Sequence, residues 1–386
     1  MKFFKRILSI LAAAVICTGC ANNVLPQNSH EPTVLKLSRP KHIPEFSKIV
    51  SDFNEYNSDI QIKFADAPSV TEERHQLYVS TLSGRDASVD IYWLNDEWIE
   101  EFAQKGYILP IDNEINPDDS RYIVDAKDWF SFDKKLYALP VGVDMDYVFY
   151  REDLIGKSPT NWDDVMAAVR SGSASARLCL ESSDTQDMAY NLIQIKNAQN
   201  CSYDEALNMY KEIISSYDNL EDFPTDNISA FKTGSAAMLV GKGSLWRKFN
   251  SDTSAARGNV GVAAVFGKEP GKNLICAYGL AINANSKHKE AAIKFLDFIN
   301  SKEAQRQLSR DCSVMPVIEE LYSDAMILDA NPYLKNAKDL IRKGIRYKDM
   351  GISGHTLKEV DSILLKFLSN KETSKNTGIA LDSLIK

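Results

Sequence analysis

Two pairs of carboxylates are the residues of this 386-residue chain whose spacing comes nearest to a reaction centre. Asp144 and Asp146 alternate along a strand-like run and so share one face, while Asp96 and Glu97 directly follow the strand-like Asp90-Ile-Tyr-Trp-Leu. Two carboxyls about 5–10 Å apart are enough for glycoside hydrolysis. Hydrogen bonding to a polar ligand or to water asks less of them, because it needs no raised pKa. The five histidines, His30, His42, His75, His288 and His355, never fall three or four apart, which excludes a helical metal pair and leaves each as a surface residue. Gly234-Ser-Ala-Ala-Met-Leu-Val-Gly241-Lys242-Gly243 places six residues between its glycines and Gly after Lys, so it does not meet the requirements of a phosphate-cradling loop. No Gly-x-Ser-x-Gly elbow occurs. Cys179, Cys201, Cys276 and Cys312 are widely separated and read as small buried apolar residues, with one bridge left open in an oxidising location. Neither a metal nor a cofactor is implied.

Cys20 stands apart from the others. Lys2, Lys5 and Arg6 precede an apolar run from Ile7 to Cys17, which is far shorter than the ~20 residues of a spanning helix, and Thr18-Gly19-Cys20 closes the segment. The pattern resembles a bacterial lipobox with Cys17 where Leu is usual, so residues 1–19 read as a cleaved export signal and Cys20 as the acceptor of diacylglycerol. Simple secretion is the alternative. Loss of residues 1–19 takes the formal charge from −8 to −11. Such an acidic chain, without a basic run or basic-aromatic stripe, excludes nucleic acid as a partner, and contact with an anionic bilayer would depend on the lipid.

The elements that must position these residues follow an α/β order. Residues 20–32 form a polar, proline-containing lipidated tether, and order begins near Val34. Val34–Leu37 reads as a strand, Phe46, Ile49, Phe53 and Tyr56 mark an amphipathic helix, and Ile60–Phe64 alternates as a strand, which together predict a βαβ unit with a parallel sheet. Asp90–Leu94 is a strand, Glu97–Lys105 a helix ended by Gly106, and Thr160 a cap for a helix whose Asp163 and Asp164 complement its dipole. Tyr203–Tyr217 and Lys289–Asn300 are further helices, the latter with a stripe of Ala292, Ile293, Leu296 and Ile299. Val360, Ile363, Leu364 and Phe367 mark a late helix, followed by a shorter one near Ile379–Ile385. The residues left after the signal exceed what one core organises, so two lobes with a cleft between them are predicted.

Several blocks in one order carry a resemblance. They are Asp90-Ile-Tyr-Trp-Leu-Asn-Asp-Glu-Trp-Ile with its continuation to Ile111; Lys135-Leu-Tyr-Ala-Leu-Pro-Val-Gly-Val-Asp144 with Tyr147-Val-Phe-Tyr-Arg-Glu-Asp-Leu and Pro159-Thr-Asn-Trp; Ala230-Phe-Lys-Thr-Gly-Ser-Ala-Ala-Met; and Tyr278-Gly-Leu-Ala-Ile-Asn-Ala-Asn-Ser through Gln305 to Tyr322. The chain resembles the family 1 extracellular solute-binding proteins of ABC sugar importers, particularly the maltose and trehalose binders. That resemblance implies a two-lobed periplasmic-binding-protein-like fold. Its interlobe ligand cleft and hinge segments would lie near Pro140–Asp144, near Ile282–Asn285 and around 325–335. The N-terminal lobe would take 33–139 and 285–329, and the C-terminal lobe 140–284 and 330–386. It further implies a monomeric receptor on the outer face of the cell membrane that hands a carbohydrate or other small polar solute to permease subunits and performs no chemistry. A secreted carboxylate-dependent glycosidase and a solute-sensing partner of a membrane kinase are the alternatives.

Site roles come from the same resemblance. Asp144 stands at the crossing-strand acid that accepts sugar hydroxyls, against a structural hinge role. Asn95 replaces a frequent Asp and is a neutral acceptor, with Asp96 its helper or a solvated helix start. Tyr278 takes a stacking position, against core packing, although Cys276 and Ala277 stand where two glycines are usual. Trp246 lies near an aromatic position whose commoner place is held by Lys242. Arg346 either binds a hydroxyl or pairs with an acid of its lobe. Arg39, in the basic segment Ser38–His42, contacts an acidic sugar or is solvated. Trp93, Trp98, Trp129 and Trp162 read as core.

Overall fold

The computed structural model describes residues 31–41, 43, 46–115, 121–124, 126–171, 177–181, 187–215, 226–264, 272–312 and 314–385. Strands β1 (Thr33–Pro40), β2 (Ile60–Ala67), β3 (Ile91–Asn95), β4 (Ser131–Phe132) and β5 (Lys135–Leu136) precede the long β6 (Ala138–Arg151). β7 (Leu178–Leu180), β8 (Met238–Lys242), β9 (Val260–Ala264) and β10 (Ile275–Ile282) follow. Apart from the β4–β5 hairpin they join one sheet in the order β2-β1-β3-β10-β6-β8-β7, with β9 also on β6.

The first wing of this sheet follows the alternation of strands and helices. β1 pairs in parallel with β2 and β3, and the helix Phe46–Tyr56 buries Phe46, Ile49, Val50 and Phe53. Tyr56, at the helix end, is exposed instead. The second wing hangs on β6, whose 14 residues are all buried. Its first part pairs with β10 and its second, from Asp146, pairs with β8 and β9, so one strand serves both wings. A strand covered on both faces needs a near-continuous apolar run, which ALPVGVDMDYVFYR supplies around its two aspartates. β10 is shared likewise: it pairs with β3 and β6.

Local details differ from expectation in three places. A 3-10 turn, Asp96–Trp98, replaces the first turn of the helix after β3, which is α-helical only over Ile99–Gln104; Gly106, with φ 65°, lies just past its end. Asn161 rather than Thr160 caps the helix Trp162–Arg170, accepting the Asp164 N–H, while Thr160 bonds the Asp164 carboxylate. In the helix Lys289–Asn300, Phe295 is buried where Ile293 is only half-buried. Cys179, Cys276 and Cys312 are buried and Cys201 is half-buried, as expected of small apolar residues. Among the described residues no helix is long and apolar enough to cross a membrane.

Gly142 lies midway along β6, opposite Tyr278. A Cβ there would stand 1.9 Å from Val314 Cγ1, beside the segment whose Met315 carbonyl accepts the Val143 N–H at 3.0 Å. Gly142→Ala is therefore expected to destabilise the fold by about 1–3 kcal/mol through overpacking, seen as a lower urea midpoint. An unchanged midpoint would mean that Val314 moves aside freely.

Candidate functional site

Strand register brings the polar residues together. Tyr278 lies opposite Asn95 on β3, Cys276 opposite Asp144 on β6, and Asp146 opposite Lys242 on β8. Asn95, Cys276, Tyr278 and Lys242 wall a chamber of about 600 Å³ between the wings, which His75, Glu97 and Trp98 border on one side and Tyr190 and Tyr347 on the other. The volume suits a small polar ligand.

Lys242 is the most constrained charge in this chamber. Its Nζ lies 2.9 Å from Asp146 Oδ1, donates to the Tyr190 hydroxyl and sits 3.6 Å from the centre of that ring, while its backbone N–H donates to Glu181 at 2.9 Å. Burial works against the ammonium, but the surrounding anionic groups, Asp146 foremost, outweigh it and hold the pKa well above its ordinary value. The glycine after it is required by close approach: a Cβ on Gly243 would come within 2.8 Å of Tyr333. Tyr190 meets Tyr347 edge-on at 5.3 Å, and the buried Tyr347 hydroxyl has no hydrogen-bond partner among the described residues.

Asp144 lies on the far side of Tyr278, in a smaller cavity of about 80 Å³ shared with Trp93, Ser244 and Arg247. Its Oδ1 accepts the Met145 N–H at 2.9 Å. Burial pushes its carboxyl up to about 7, in spite of the Lys242 charge and a hydrogen bond from Ser244. Tyr278 borders both cavities, its ring tilted 37° against Trp93 at 5.9 Å, with its hydroxyl 3.3 Å from Cys276 Sγ. Burial pushes that thiol up to about 12, so it stays protonated.

The remaining sequence candidates divide. Asn95 accepts from Arg74 at 3.4 Å and donates to Glu97 at 3.0 Å. Asp96 and Arg346 are joined beside β10, and neither borders the chamber: Asp96 Oδ1 accepts the Ala277 N–H at 3.0 Å, and Oδ2 lies 3.4 Å from Arg346 Nη1. Burial, with the charge of Glu97 next, raises the Asp96 pKa to about 7. Arg346 also holds Asp349 at 2.6 Å and lies over Trp129 at 5.1 Å, so its guanidinium is engaged by protein groups. Trp246 donates to the Ala330 carbonyl at 3.0 Å and lines a separate depression of about 630 Å³. Arg39 lies 4.2 Å over the Phe64 ring and 4.0 Å from Asp66, bordering neither the chamber nor the Asp144 cavity. Cys20 lies outside the described residues. Trp93, Trp98, Trp129 and Trp162 are buried, although Trp93 and Trp98 also border the two cavities. His75 is not a solvated surface residue: it is half-buried, 2.7 Å from Glu101 and packed against Trp98.

Residues 39–306, more than half of the chain, match the family model of bacterial extracellular solute-binding proteins. The chain belongs to that family. Its members bind substrates rather than transform them, so this solute-binding protein is not an enzyme, and the glycosidase reading of the aspartates is set aside. A binding protein of Brucella abortus (strain 2308) is 23% identical over 309 residues, covering 72% of this chain and 73% of that one. A Deinococcus radiodurans chain that carries the name ABC transporter-binding protein is 22% identical over 371 residues, 84% of each. Among solved structures, maltose-bound MalE3 of T. maritima has a TM-score of 0.80 at 19% identity, covering 92% of this chain and all of that one. An ABC transporter solute-binding protein of Agrobacterium vitis with bound D-mannitol has a TM-score of 0.75 at 19% identity, with 91% and 97% covered. At such identities the likeness establishes the fold, α/β and two-lobed.

Lys242, Tyr190 and Tyr347 were not among the sequence candidates for this solute-binding protein. The signal for Lys242 is the Gly-Lys-Gly that ends β8; Tyr190 and Tyr347 come from a distant helix and turn and carry none. Asp144 gives the site a pH signature. Its neutral form is favoured by the folded state, so the stabilisation is full below the ordinary carboxylate range near 4 and is lost as pH rises through about 7. Asp144→Asn, which has no proton to lose, is expected to gain stability relative to its parent between about pH 5 and pH 8, measured as the difference in urea midpoints. A difference that does not vary with pH would contradict the assignment.

Proposed function

We propose that this protein is the lipid-anchored receptor of an ABC importer, taking an oligosaccharide or a related polar solute into the interlobe chamber and delivering it to membrane permease subunits. The observation that carries the reading is the chamber's lining. Tyr278 and Trp98 offer aromatic planes to the C–H faces of a sugar or sugar alcohol, and Lys242, Asn95 and Glu97 offer hydroxyls charged and amide partners. The unpartnered Tyr347 hydroxyl is one further group that a polyol would satisfy. Structural relatives bound to maltose, to acarbose and to D-mannitol support the solute class.

In this reading the chain is exported, cleaved before Cys20 and tethered by residues 20–32 on the outer face of the membrane as a monomer. Residues 33–139 with 285–329 form one lobe, 140–284 with 330–386 the other, and closure about the shared strands captures solute. Of the sequence candidates, Asn95 and Tyr278 touch solute, Asp144 supports the Tyr278 side, and Asp96 with Arg346 braces the crossing.

A thermal-shift screen of residues 21–386 against mono-, di- and oligosaccharides, sugar alcohols, uronic acids, amino acids and short peptides tests the cargo. A solute at 100 times its Kd adds about 2.7 kcal/mol to the folded state. For the sugar that shifts melting most, Tyr278→Ala is expected to weaken binding roughly tenfold, from the loss of about 1.4 kcal/mol, with Arg39→Ala near neutral. Stabilisation by peptides or amino acids, with flat curves for every sugar and sugar alcohol, would remove carbohydrate as the cargo. In the full chain, Cys20→Ser is expected to move the protein from the membrane to the soluble fraction; unchanged membrane association would remove the lipid anchor.

A further inference from the structure

The mouth of the chamber is spanned by charges that belong to opposite wings. The helix Gly354–Leu368 packs on the helices Asp187–Ala198 and Ser374–Leu384 of the second wing, and the turn Lys348–Met350 precedes it. On the first wing, the helix Thr71–Ser83 sets Tyr78 edge-on against Tyr92 of β3, and the helix Ile99–Gln104 stacks Phe102 on Trp98. Between these elements Lys358 Nζ lies 2.6 Å from Glu72 Oε1, and Lys348 Nζ lies 3.1 Å from Glu100 Oε2. All four side chains border the chamber. Outside the chamber, Arg346 joins Asp96 across the same divide.

Each acid is braced on its own helix. Gln76 donates to the Glu72 oxygen that Lys358 holds, at 2.6 Å, and Gln104 donates to Glu100 at 3.2 Å. Burial alone would raise the Glu72 pKa, but the hydrogen bonds from Lys358 and Gln76 outweigh it and hold the carboxyl below its ordinary value. The pairing consists only of protein groups, so its pull on the wings does not depend on a solute.

We infer that residues 346–358 are a strap that latches the chamber mouth electrostatically, drawing the wings together by protein charges alone and making the open–closed balance depend on ionic strength. The two outer pairs are partly exposed, with side-chain exposures of 49% and 21% for Lys358 and Glu72 and 33% and 47% for Lys348 and Glu100. Pairs of this kind bias an equilibrium by up to about fivefold each, so the two together give at most about 25-fold at low salt. Screening shortens the reach of a charge from about 10 Å at 0.1 M salt to about 3 Å at 1 M, which weakens such a latch without touching the apolar core.

Small-angle X-ray scattering of residues 21–386 without added solute tests the latch. The radius of gyration is expected to rise as salt increases from about 20 mM to about 0.5 M. The double reversal Glu72→Lys with Glu100→Lys should show the larger radius at both salts. Adding Lys348→Glu and Lys358→Glu should restore the compact, salt-sensitive form, with circular dichroism reporting that each variant is folded. A parent radius that ignores salt overturns the proposal by itself, whatever the variants do, and so does a folded double reversal as compact as its parent. The measurement uses no solute, so its failure leaves the receptor reading standing.

Discussion

β6 and β10 run side by side as an antiparallel pair, and everything else in the molecule is placed by that pairing. A strand buried along its whole length must satisfy its backbone polar groups from neighbouring strands, and β6 does so with β10 and then with β8 and β9. The same ladder fixes which side chains meet. A slip of one residue would carry Asp144 and Asp146 to the opposite face and dissolve the juxtaposition with Cys276 and Lys242. The crossing strands are therefore at once the connection between the wings and the floor of the chamber.

Charge is distributed around the crossing strands in two ways. Asp96 and Arg346 are engaged by protein groups, through the Ala277 N–H, Asp349 and each other, and so brace β10. Lys242 stands in a denser set, with Asp146 and Tyr190 in contact, Glu181 on its backbone N–H and Asp144 nearby. Burying so many ionisable groups is tolerable only if charges are paired or neutralised, and the upward pull of burial on Asp144 does the second. In the chamber itself Lys242 is held by Asp146 and Tyr190, and the Lys348 and Lys358 ammonium groups are held by Glu100 and Glu72, so its charges are paired by protein groups.

Much of the fold was legible in the sequence because its strands and helices are strongly periodic. The β1–helix–β2 unit, the helix Lys289–Asn300 and the late helices carry spacing that tertiary packing did not override. β6 was less legible, since a strand covered on both faces has no alternation to betray its length. Of the sequence candidates, Asn95 at the end of β3 and Tyr278 on β10 border the chamber, whereas Asp144 on β6 borders the smaller cavity. Trp246 and Arg39 lie apart from the chamber because the sequence shows a residue's type but not the direction of its side chain, and Ala330 and Phe64 respectively hold them. Tyr190 and Tyr347 reach the chamber from positions 157 residues apart in the chain, a juxtaposition that only the packing of the second wing creates.

The proposed function requires solute to be held between the wings on Tyr278. The most direct measurement is a crystal structure of the protein with the sugar that stabilises it most. A sugar ring is expected in the interlobe chamber, packed on Tyr278 and within hydrogen-bond reach of Lys242 or Asn95. A sugar bound instead in the Trp246 depression, with the interlobe chamber holding only water, would contradict it.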